Sequence, residues 1–457
     1  MKGYFFVSFV PKSDMGVQPV SRKTFIKNAS GLIAGLAIPG AEKLPGLNSN
    51  ELIDELSSSF VLKNVRLETG YILEQAAVIG TSTDLFSVEI EEGKIKSITK
   101  NHVGSKSLDA KGLLMLPSFK DMHIHLDKTF YGGPWQPRVI KNRSVKDMIA
   151  LEEKILPEML KTSTHRAEKM IELLQSKGSA FARSHVNIEP TSQLQSLRNL
   201  QIALENKKKG FSAELVAFPQ HGLYYRDSTS LMKEAAQAGI DYIGGLDPVS
   251  IDGNMHRTMD FTVQLALDYK KGIDIHLHEG GADGLQVVNY LIDRVNENPV
   301  LKNRTWLSHA FVLASLEGSQ QEAIAEKLAA AGIGIASTIP MGRSQMPIPT
   351  LLKHGVQVVT GNDSIVDHWN SFGTGSVLQK ANLAAQLYGL VTELELSQSL
   401  SLATAGITPL NRKGEQQWPK PGDEASFVLI DASCSAEAVA RVSEAKALFH
   451  KGYKVFN

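Results

Sequence analysis

Two histidines separated by one residue occur in the segment DMHIHLDKTFYGGPW (residues 121–135), soon after the apolar run LLMLPSF. In a β-strand, residues i and i+2 point to the same face, so His123 and His125 project together from the end of that run. Two imidazoles on one face can bind a single metal ion without strain. The spacing therefore predicts half of a metal site at the carboxyl end of a strand.

Three more candidate ligands follow apolar β-type runs, namely His276 in IDIHLHE, His309 in RTWLSHA and Asp363 in GVQVVTGND. A single histidine at a strand end is more often a hydrogen-bonded structural residue. Several strand ends that converge can instead supply about four or five nitrogen and oxygen donors, a set that suits Zn²⁺ or Fe²⁺ and leaves room for water. The pattern favours a divalent metal site.

Composition limits the class of partner and the kind of metal site. Lys plus Arg and Asp plus Glu each total 48, so the formal net charge is zero. Bulk electrostatics give no attraction to nucleic acid or to an anionic membrane, and a small, neutral molecule is the expected partner. Cys434 is the single cysteine, which excludes an internal disulfide and a thiolate metal cluster. A metal site must therefore use histidines and carboxylates.

The elements that must position these residues alternate regularly from residue 118 onward. Apolar β-type runs are separated by helical stretches such as SVKDMIALEEKILPEMLK. Eight successive βα units predict a closed (β/α)8 TIM barrel with its chemistry at the carboxyl ends of the strands, and we place this barrel at residues 118–407. The predicted strands are SFKDMHIH, SAFARSHV, AELVAFPQ, IDYIGGLD, IDIHLHE, RTWLSHA, GIGIAST and GVQVVTGND.

Short strands and turns flank the barrel at both ends of the chain. Before it stand FVLKNVRL, DLFSVEIEEGKIKSI and KSLDAKGLLMLP, and after it stand ASFVLIDA and ALFHKGYKVFN. Their alternating apolar residues predict strands, and we expect the last two to return to the sheet begun by the first three. Residues 49–117 and 408–457 are therefore predicted to form one composite domain.

The first 48 residues have the layout of an export signal. Basic residues in SRKTFIK precede an apolar run from Gly31 to Ile38, and small residues with a proline follow. That run is too short to span a bilayer. SRKTFIK resembles a twin-arginine signal, with Arg22 present and Lys23 where the second arginine is expected. We expect a periplasmic protein whose mature form is free of the membrane, with a cytoplasmic location as the alternative.

Six motifs, in this order and spacing, resemble the amidohydrolase superfamily. They are HIHLDKT, RSHV, VAFPQHG, IDIHLHE, SHA and GNDSIVDHW, and the likeness runs from about residue 60 to the C-terminus. More narrowly, they are similar to the cytosine deaminase branch, which also includes N-isopropylammelide amidohydrolase. The resemblance implies a metal-bearing barrel with a small β-sandwich domain built from both chain ends.

The resemblance also implies a reaction, the metal-dependent hydrolytic deamination of a cyclic amidine or N-heterocycle such as a pyrimidine or triazine. One Zn or Fe ion lowers the pKa of its water to about 7, and the metal-bound hydroxide attacks the ring carbon that carries the amine. Glu279 would protonate the ring nitrogen and the leaving amine, while His309 orients the hydroxide and Asp363 takes its proton. The implied metal ligands are His123, His125, His276 and Asp363.

Substrate-binding residues follow from the same resemblance. Gln220 matches the substrate-reading glutamine, and its amide suits the N–C=O edge of a heterocycle. Trp369, together with Phe130 and Trp135, is expected to form apolar walls against the flat ring, with packing in the core or a lid as the alternative.

This sequence departs from the branch pattern at Ser364, at His221 and at His278. The changes are expected in the substrate pocket and not among the metal ligands. They therefore keep the reaction and argue against cytosine itself as the substrate.

Two other functions fit the same fold. Many hydantoinase-like enzymes, which hydrolyse cyclic amides or ureides, use two metals bridged by a carboxylated lysine on the fourth strand, but IDYIGGLDP has no lysine. A non-catalytic scaffold is the other alternative, because a fold does not fix function. The presence of every implied ligand and of Glu279 favours an enzyme. The sequence leaves open the ring, the metal and whether the chain forms a homo-oligomer.

Overall fold

The computed structural model describes residues 58–101, 107–137, 144–342 and 345–456. The export signal expected in residues 1–48 lies outside these ranges. Within them, no helix is both long enough and apolar enough to cross a membrane.

Five strands precede the barrel and belong to one sheet. The first two form a long antiparallel hairpin that turns at Gln75 and Ala76, both with positive φ. The first strand also pairs in parallel with the two short strands that follow later. The strands are β1 (Phe60–Glu74), β2 (Ala77–Glu91), β3 (Lys94–Lys100), β4 (Ser107–Asp109) and β5 (Leu114–Pro117).

Eight parallel strands form the barrel, and each of the eight predicted runs supplies one of them. Every strand is hydrogen-bonded to its neighbours in sequence. Their side chains are almost entirely buried, since helices cover the outside and side chains fill the inside. The strands are β6 (Phe119–Ile124), β7 (Ser179–Asn187), β8 (Ser212–Phe218), β9 (Tyr242–Leu246), β10 (Gly272–His276), β11 (Thr305–Ser308), β12 (Ile333–Ser337) and β13 (Val358–Thr360).

Helices follow every barrel strand. Two of them lie between the first and second barrel strands, and the first begins in a capping box in which the Ser144 hydroxyl and the Asp147 carboxylate each accept the other's backbone N–H. The helices are α1 (Val145–Leu160), α2 (Ser163–Ser176), α3 (Gln195–Lys207), α4 (Thr229–Ala236), α5 (Met255–Asp268), α6 (Gly281–Glu297), α7 (Gly318–Ala331), α8 (Ile348–Lys353), α9 (Val377–Tyr388) and α10 (Glu393–Ser399).

The C-terminal strands join the first sheet, as predicted. The chain continues through β14 (Phe427–Ile430), α11 (Ser435–Arg441), β15 (Ala445–His450) and β16 (Tyr453–Phe456). Strand β14 pairs with β5, which gives one sheet in the order β16-β15-β14-β5-β1-β2-β3, with β4 beside β1. Buried side chains from both halves of this sheet share one apolar core, in which the rings of Phe427 and Phe449 stack 4.5 Å apart. The two ends of the chain therefore build one separate domain.

The barrel closes where its last strand meets its first. Asp363, just beyond β13, forms a parallel bridge with Ile124 at the end of β6. The two strands approach closely, and a Cβ atom added to Gly361 would lie 2.3 Å from the carbonyl oxygen of His123. Only glycine fits there. We call this junction the seam.

Candidate active site

Four of the predicted side chains converge at the carboxyl ends of the strands. The ligand atoms of His123, His125, His276 and Asp363 all lie within 4.8 Å of one another. Two of these ligands, His123 and Asp363, belong to the seam, where backbone hydrogen bonds fix their positions. The Asp363 Oδ1 atom is 3.4 Å from Nε2 of both His123 and His125. The arrangement brings together three imidazoles and one carboxylate around one point.

The protonation states of this cluster suit metal binding. Burial and the nearby Lys128 lower the pKa of His125 to about 3, and burial together with neighbouring rings holds the pKa of His276 well below its usual value. Burial raises the pKa of Asp363, but the surrounding histidines outweigh it, so that this pKa lies well below its ordinary value. Neutral imidazoles and an ionised carboxylate are the forms that ligate a divalent cation.

Unpartnered nitrogen atoms support the same conclusion. Among the described residues, Nε2 of His123 and both ring nitrogens of His276 are buried without a hydrogen-bond partner. Buried polar groups normally have one, and an ion bound at this point would supply it. The donors and their spacing therefore fit a divalent metal ion.

A chain of hydrogen bonds behind the cluster orients one ligand. The Ser308 hydroxyl donates to Asp274 Oδ1 over 2.6 Å, so it must accept the hydrogen bond of 2.8 Å that joins it to His123 Nδ1. His123 therefore carries its proton on Nδ1 and turns the Nε2 lone pair toward the cluster. Asp274 is buried and is itself paired with Arg183 at 3.4 Å.

His185 is a site residue that the sequence did not assign. It lies on β7, fully buried, with its ring centroid 4.2 Å from that of His123 and 4.5 Å from that of His276. Its ligand atoms and those of His123 and Asp274 also lie within 4.8 Å of one another. The motif RSHV was the available signal, but nothing in it showed that the side chain points toward the cluster.

A cavity of about 790 Å³ opens above the cluster. Its walls include Gln220 and Trp369, as the sequence predicted, and Phe218, whose ring stacks on His276 at 4.0 Å. Lys128 also lines the cavity and donates a short hydrogen bond to Gln220 Oε1. Sequence reasoning missed this lysine, although it stands in the HIHLDKT motif.

The predicted proton shuttle, Glu279, is not among the residues that line the cavity. Its Oε1 atom accepts hydrogen bonds from the backbone N–H groups of Val249 and Ser250, at 2.9 and 2.6 Å. Burial raises its pKa. His278 does line the cavity, and its Nδ1 lies 2.9 Å from Asp247 Oδ2, while the His309 ring centroid is 4.5 Å from its own.

Three further residues lie away from the places the sequence assigned to them. Phe130 packs in a small apolar cluster with Leu156, and Trp135 is 66% exposed, so neither lines the cavity. Both were expected as apolar walls, with packing in the core or a lid as the alternative; Phe130 follows that alternative, and Phe218 lines the cavity. Ser364 does line the cavity, but His221 is buried behind its wall, 3.7 Å from Glu152 Oε2 and 3.2 Å from Glu189 Oε2.

Known proteins share both the sequence and the fold. Residues 163–449 match the model of the amidohydrolase family. The chain is 49% identical over 432 residues to the uncharacterized protein YahJ of Escherichia coli (strain K12), with 93% of each chain covered.

Two solved structures share the fold. The N-isopropylammelide isopropylaminohydrolase of Burkholderia multivorans superposes with a TM-score of 0.76 and 26% identity, covering 87% of this chain and 98% of that one. The 5-methylcytosine deaminase of Klebsiella pneumoniae, liganded with phosphonocytosine, gives a TM-score of 0.72 and 22% identity over 87% and 98% of the two chains. The expected relationship to this superfamily is confirmed.

Proposed function

The chain belongs to the amidohydrolase family, as a hydrolase of carbon–nitrogen bonds, and we propose that it is a metal-dependent aminohydrolase that deaminates a nitrogen heterocycle. The observation that carries this proposal is the position of the His–His–His–Asp cluster at the floor of an aromatic-walled cavity with one polar edge. Flat heterocycles fit such a cavity. The similar structure from Burkholderia multivorans is named for a triazine of this kind, N-isopropylammelide.

The metal proposed is a single Zn or Fe ion held by His123, His125, His276 and Asp363. When bound, it supplies an activated water at neutral pH. The residues of this chain then position the ring and handle protons. Phe218 and Trp369 contact its faces, and Gln220 binds its polar edge.

Hydrolysis forms one C–O bond and breaks one C–N bond, so two protons of water must reach the ring nitrogen and the amine. Asp363 Oδ1, beside the floor of the cavity, takes the first proton from the nucleophile. Asp363 then passes this proton to the ring nitrogen. We assign delivery to the leaving amine to Nε2 of His278, which gives up its proton and regains the second proton of the water, because this residue lines the cavity and its other nitrogen donates to Asp247. Ammonia is the product. Glu279, whose carboxylate faces backbone amides, is the alternative donor.

An ammonia-release screen tests the proposal. Metal-loaded protein is offered cytosine, isocytosine, creatinine, ammelide-type triazines and pterins. We expect release from at least one ring, loss of release after chelation, and recovery with Zn²⁺ or Fe²⁺. Release that persists in metal-free protein, or none from any ring, would refute it.

A further inference from the structure

Lys128 occupies an unusual position for a lysine, because it is only 1% exposed and yet lines the cavity. Its Nζ atom lies 5.6 Å from the ring centroid of Trp369 and 5.8 Å from that of Phe218. Both rings belong to the cavity wall. The ammonium group therefore lies near the rings of two aromatic residues that line the cavity.

This ammonium fixes the orientation of the Gln220 amide. A lysine ammonium has three donors and no acceptor, so the amide atom that faces it must be the oxygen. The hydrogen bond from Lys128 to Gln220 Oε1 has this direction. Gln220 Nε2 has no hydrogen-bond partner among the described residues and is not one of their buried, unpaired atoms. Gln220 thus offers the cavity its two N–H donors. We call Lys128 and Gln220 together the donor edge.

Glu152, on α1, neutralises the lysine from behind the wall. Its Oε1 atom lies 3.7 Å from Lys128 Nζ and accepts a hydrogen bond of 2.7 Å from Asn187. Burial raises the pKa of Glu152, but Lys128 and the nearby His368 and His221 outweigh it and hold the pKa well below its usual range. The carboxylate is therefore ionised, and the donor edge carries little net charge.

From these contacts we propose that the substrate is a neutral oxo-heterocycle that presents only hydrogen-bond acceptors, a carbonyl oxygen or an unprotonated ring nitrogen, to Lys128 and Gln220. This inference rests on the proposed function and specifies its substrate class. An N–H group facing these donors would be left unpaired in a buried site, which penalises the wrong ring more strongly than a change of size does. A carboxylate ligand is disfavoured because Glu152 already balances the lysine charge.

Asp147 is the carboxylate at the mouth of the cavity, and it does not change this edge. It belongs to the capping box of α1, where its Oδ2 atom accepts the backbone N–H of Ser144 at 3.0 Å.

Two probes of equal size test the edge directly. Pyridine N-oxide carries one strong acceptor and no N–H, whereas aniline, neutral at neutral pH, carries N–H donors. Binding of each to the metal-loaded full chain is followed by ligand-detected NMR titration. We expect pyridine N-oxide to bind at least about tenfold more tightly, the effect of one buried hydrogen bond. Equal binding, or no binding by either probe, would overturn the proposal.

Variants show whether Lys128 or the metal causes the tighter binding of pyridine N-oxide. Lys128→Met removes the donor and should reduce the preference to less than about twofold. Lys146→Met is the matched control, because this exposed lysine on α1 faces Tyr225 and not the cavity. If Lys128→Met does not fold with Glu152 unpaired, Gln220→Met provides the second test, since it removes the Nε2 donors and leaves the ion pair. A preference that survives these changes belongs to the metal, and the proposal falls.

Kinetics distinguish this inference from the proposed function. On any ring that releases ammonia, the control Lys146→Met should keep KM within a few-fold, whereas Gln220→Met should raise KM by about tenfold or more with a smaller change in kcat. If no ring is hydrolysed but the probe preference depends on Lys128, the proposed function fails and the donor edge stands. If rings are hydrolysed but the preference is absent, the donor edge alone fails.

Discussion

The backbone N–H of Asp363 donates a hydrogen bond of 2.7 Å to the carbonyl of His123, so main-chain pairing holds two of the predicted metal ligands at the seam of the barrel. Asp363→Asn keeps this pairing and removes the carboxylate. We expect at least tenfold less bound metal after dialysis, with little change in the thermal unfolding of the metal-free protein. Elemental analysis and calorimetry give the two values. Full metal content in the variant would contradict the assignment of Asp363 as a ligand.

Ser308 is expected to tune metal affinity without touching the metal. Ser308→Ala leaves His123 Nδ1 without its acceptor and Asp274 Oδ1 without its donor, while Asp274 Oδ2 keeps Arg183. Loss of such a partner typically weakens metal binding by about 10- to 100-fold. Competition with a zinc chelator measures the change. Ser196→Ala, in a buried serine on α3, is the control and should leave the affinity unchanged.

The proton donor can be identified by a matched pair of glutamine variants. His278→Gln should lower kcat by about 10² to 10⁴ with metal retained, because the general acid–base step is lost. Glu279→Gln should lower kcat by less than about tenfold, since its Oε1 is bound to backbone amides. The opposite ranking would identify Glu279 as the shuttle.

His221 should make stability depend on pH in the alkaline range. Burial lowers the pKa of His221, but Glu152 and Glu189 outweigh it and raise this pKa from 6.5 to about 9. Because this pKa is raised, protonated His221 stabilises the folded state fully below pH 6.5. This stabilisation is lost as the pH rises through about 9. The free energy of unfolding should fall by roughly 3 kcal/mol across this range.

Urea unfolding at a series of pH values measures this loss. In His221→Gln, stability should be lower than that of the parent at neutral pH, and the two curves should converge above the pKa of the histidine. Parallel curves throughout would show that His221 carries no charge in the folded protein.

Export remains a prediction, because residues 1–48 lie outside the described ranges. A folded fluorescent reporter fused to residues 1–48 should reach the periplasm, and Arg22→Lys should keep it in the cytoplasm. Cell fractionation measures both. A cytoplasmic protein with an intact N-terminus would instead support the alternative location.

Sequence patterns predicted the elements of the fold well because each depends on local hydrophobicity. All eight barrel strands arise from the predicted apolar runs, and the strand ends carry the four clustered ligands. The sequence also predicts part of the seam, because a ligand that follows the eighth strand must lie near the first strand once the barrel closes.

Side-chain direction beyond a strand end could not be predicted. His309 and Asp363 adopt positive φ, so the two-residue alternation that placed His123 and His125 does not continue into the loops. Glu279 Oε1 accepts hydrogen bonds from backbone amides of the loop after β9, a contact between two loops that neither local pattern contains. The ion pair of Lys128 with Glu152 joins the loop after β6 to helix α1, and no local sequence pattern predicts it.

The seam joins the first and last barrel strands, whereas helix α1 supports the donor edge. Substitution at Gly361 would disturb barrel closure and ligand geometry together, because the added Cβ would meet the backbone of His123. The edge that contacts the ring depends on Lys128, Gln220 and one helix, α1, which carries Glu152 and part of the cavity mouth. Substitutions confined to residues 144–152 should therefore change which rings bind while the four clustered ligands stay in place.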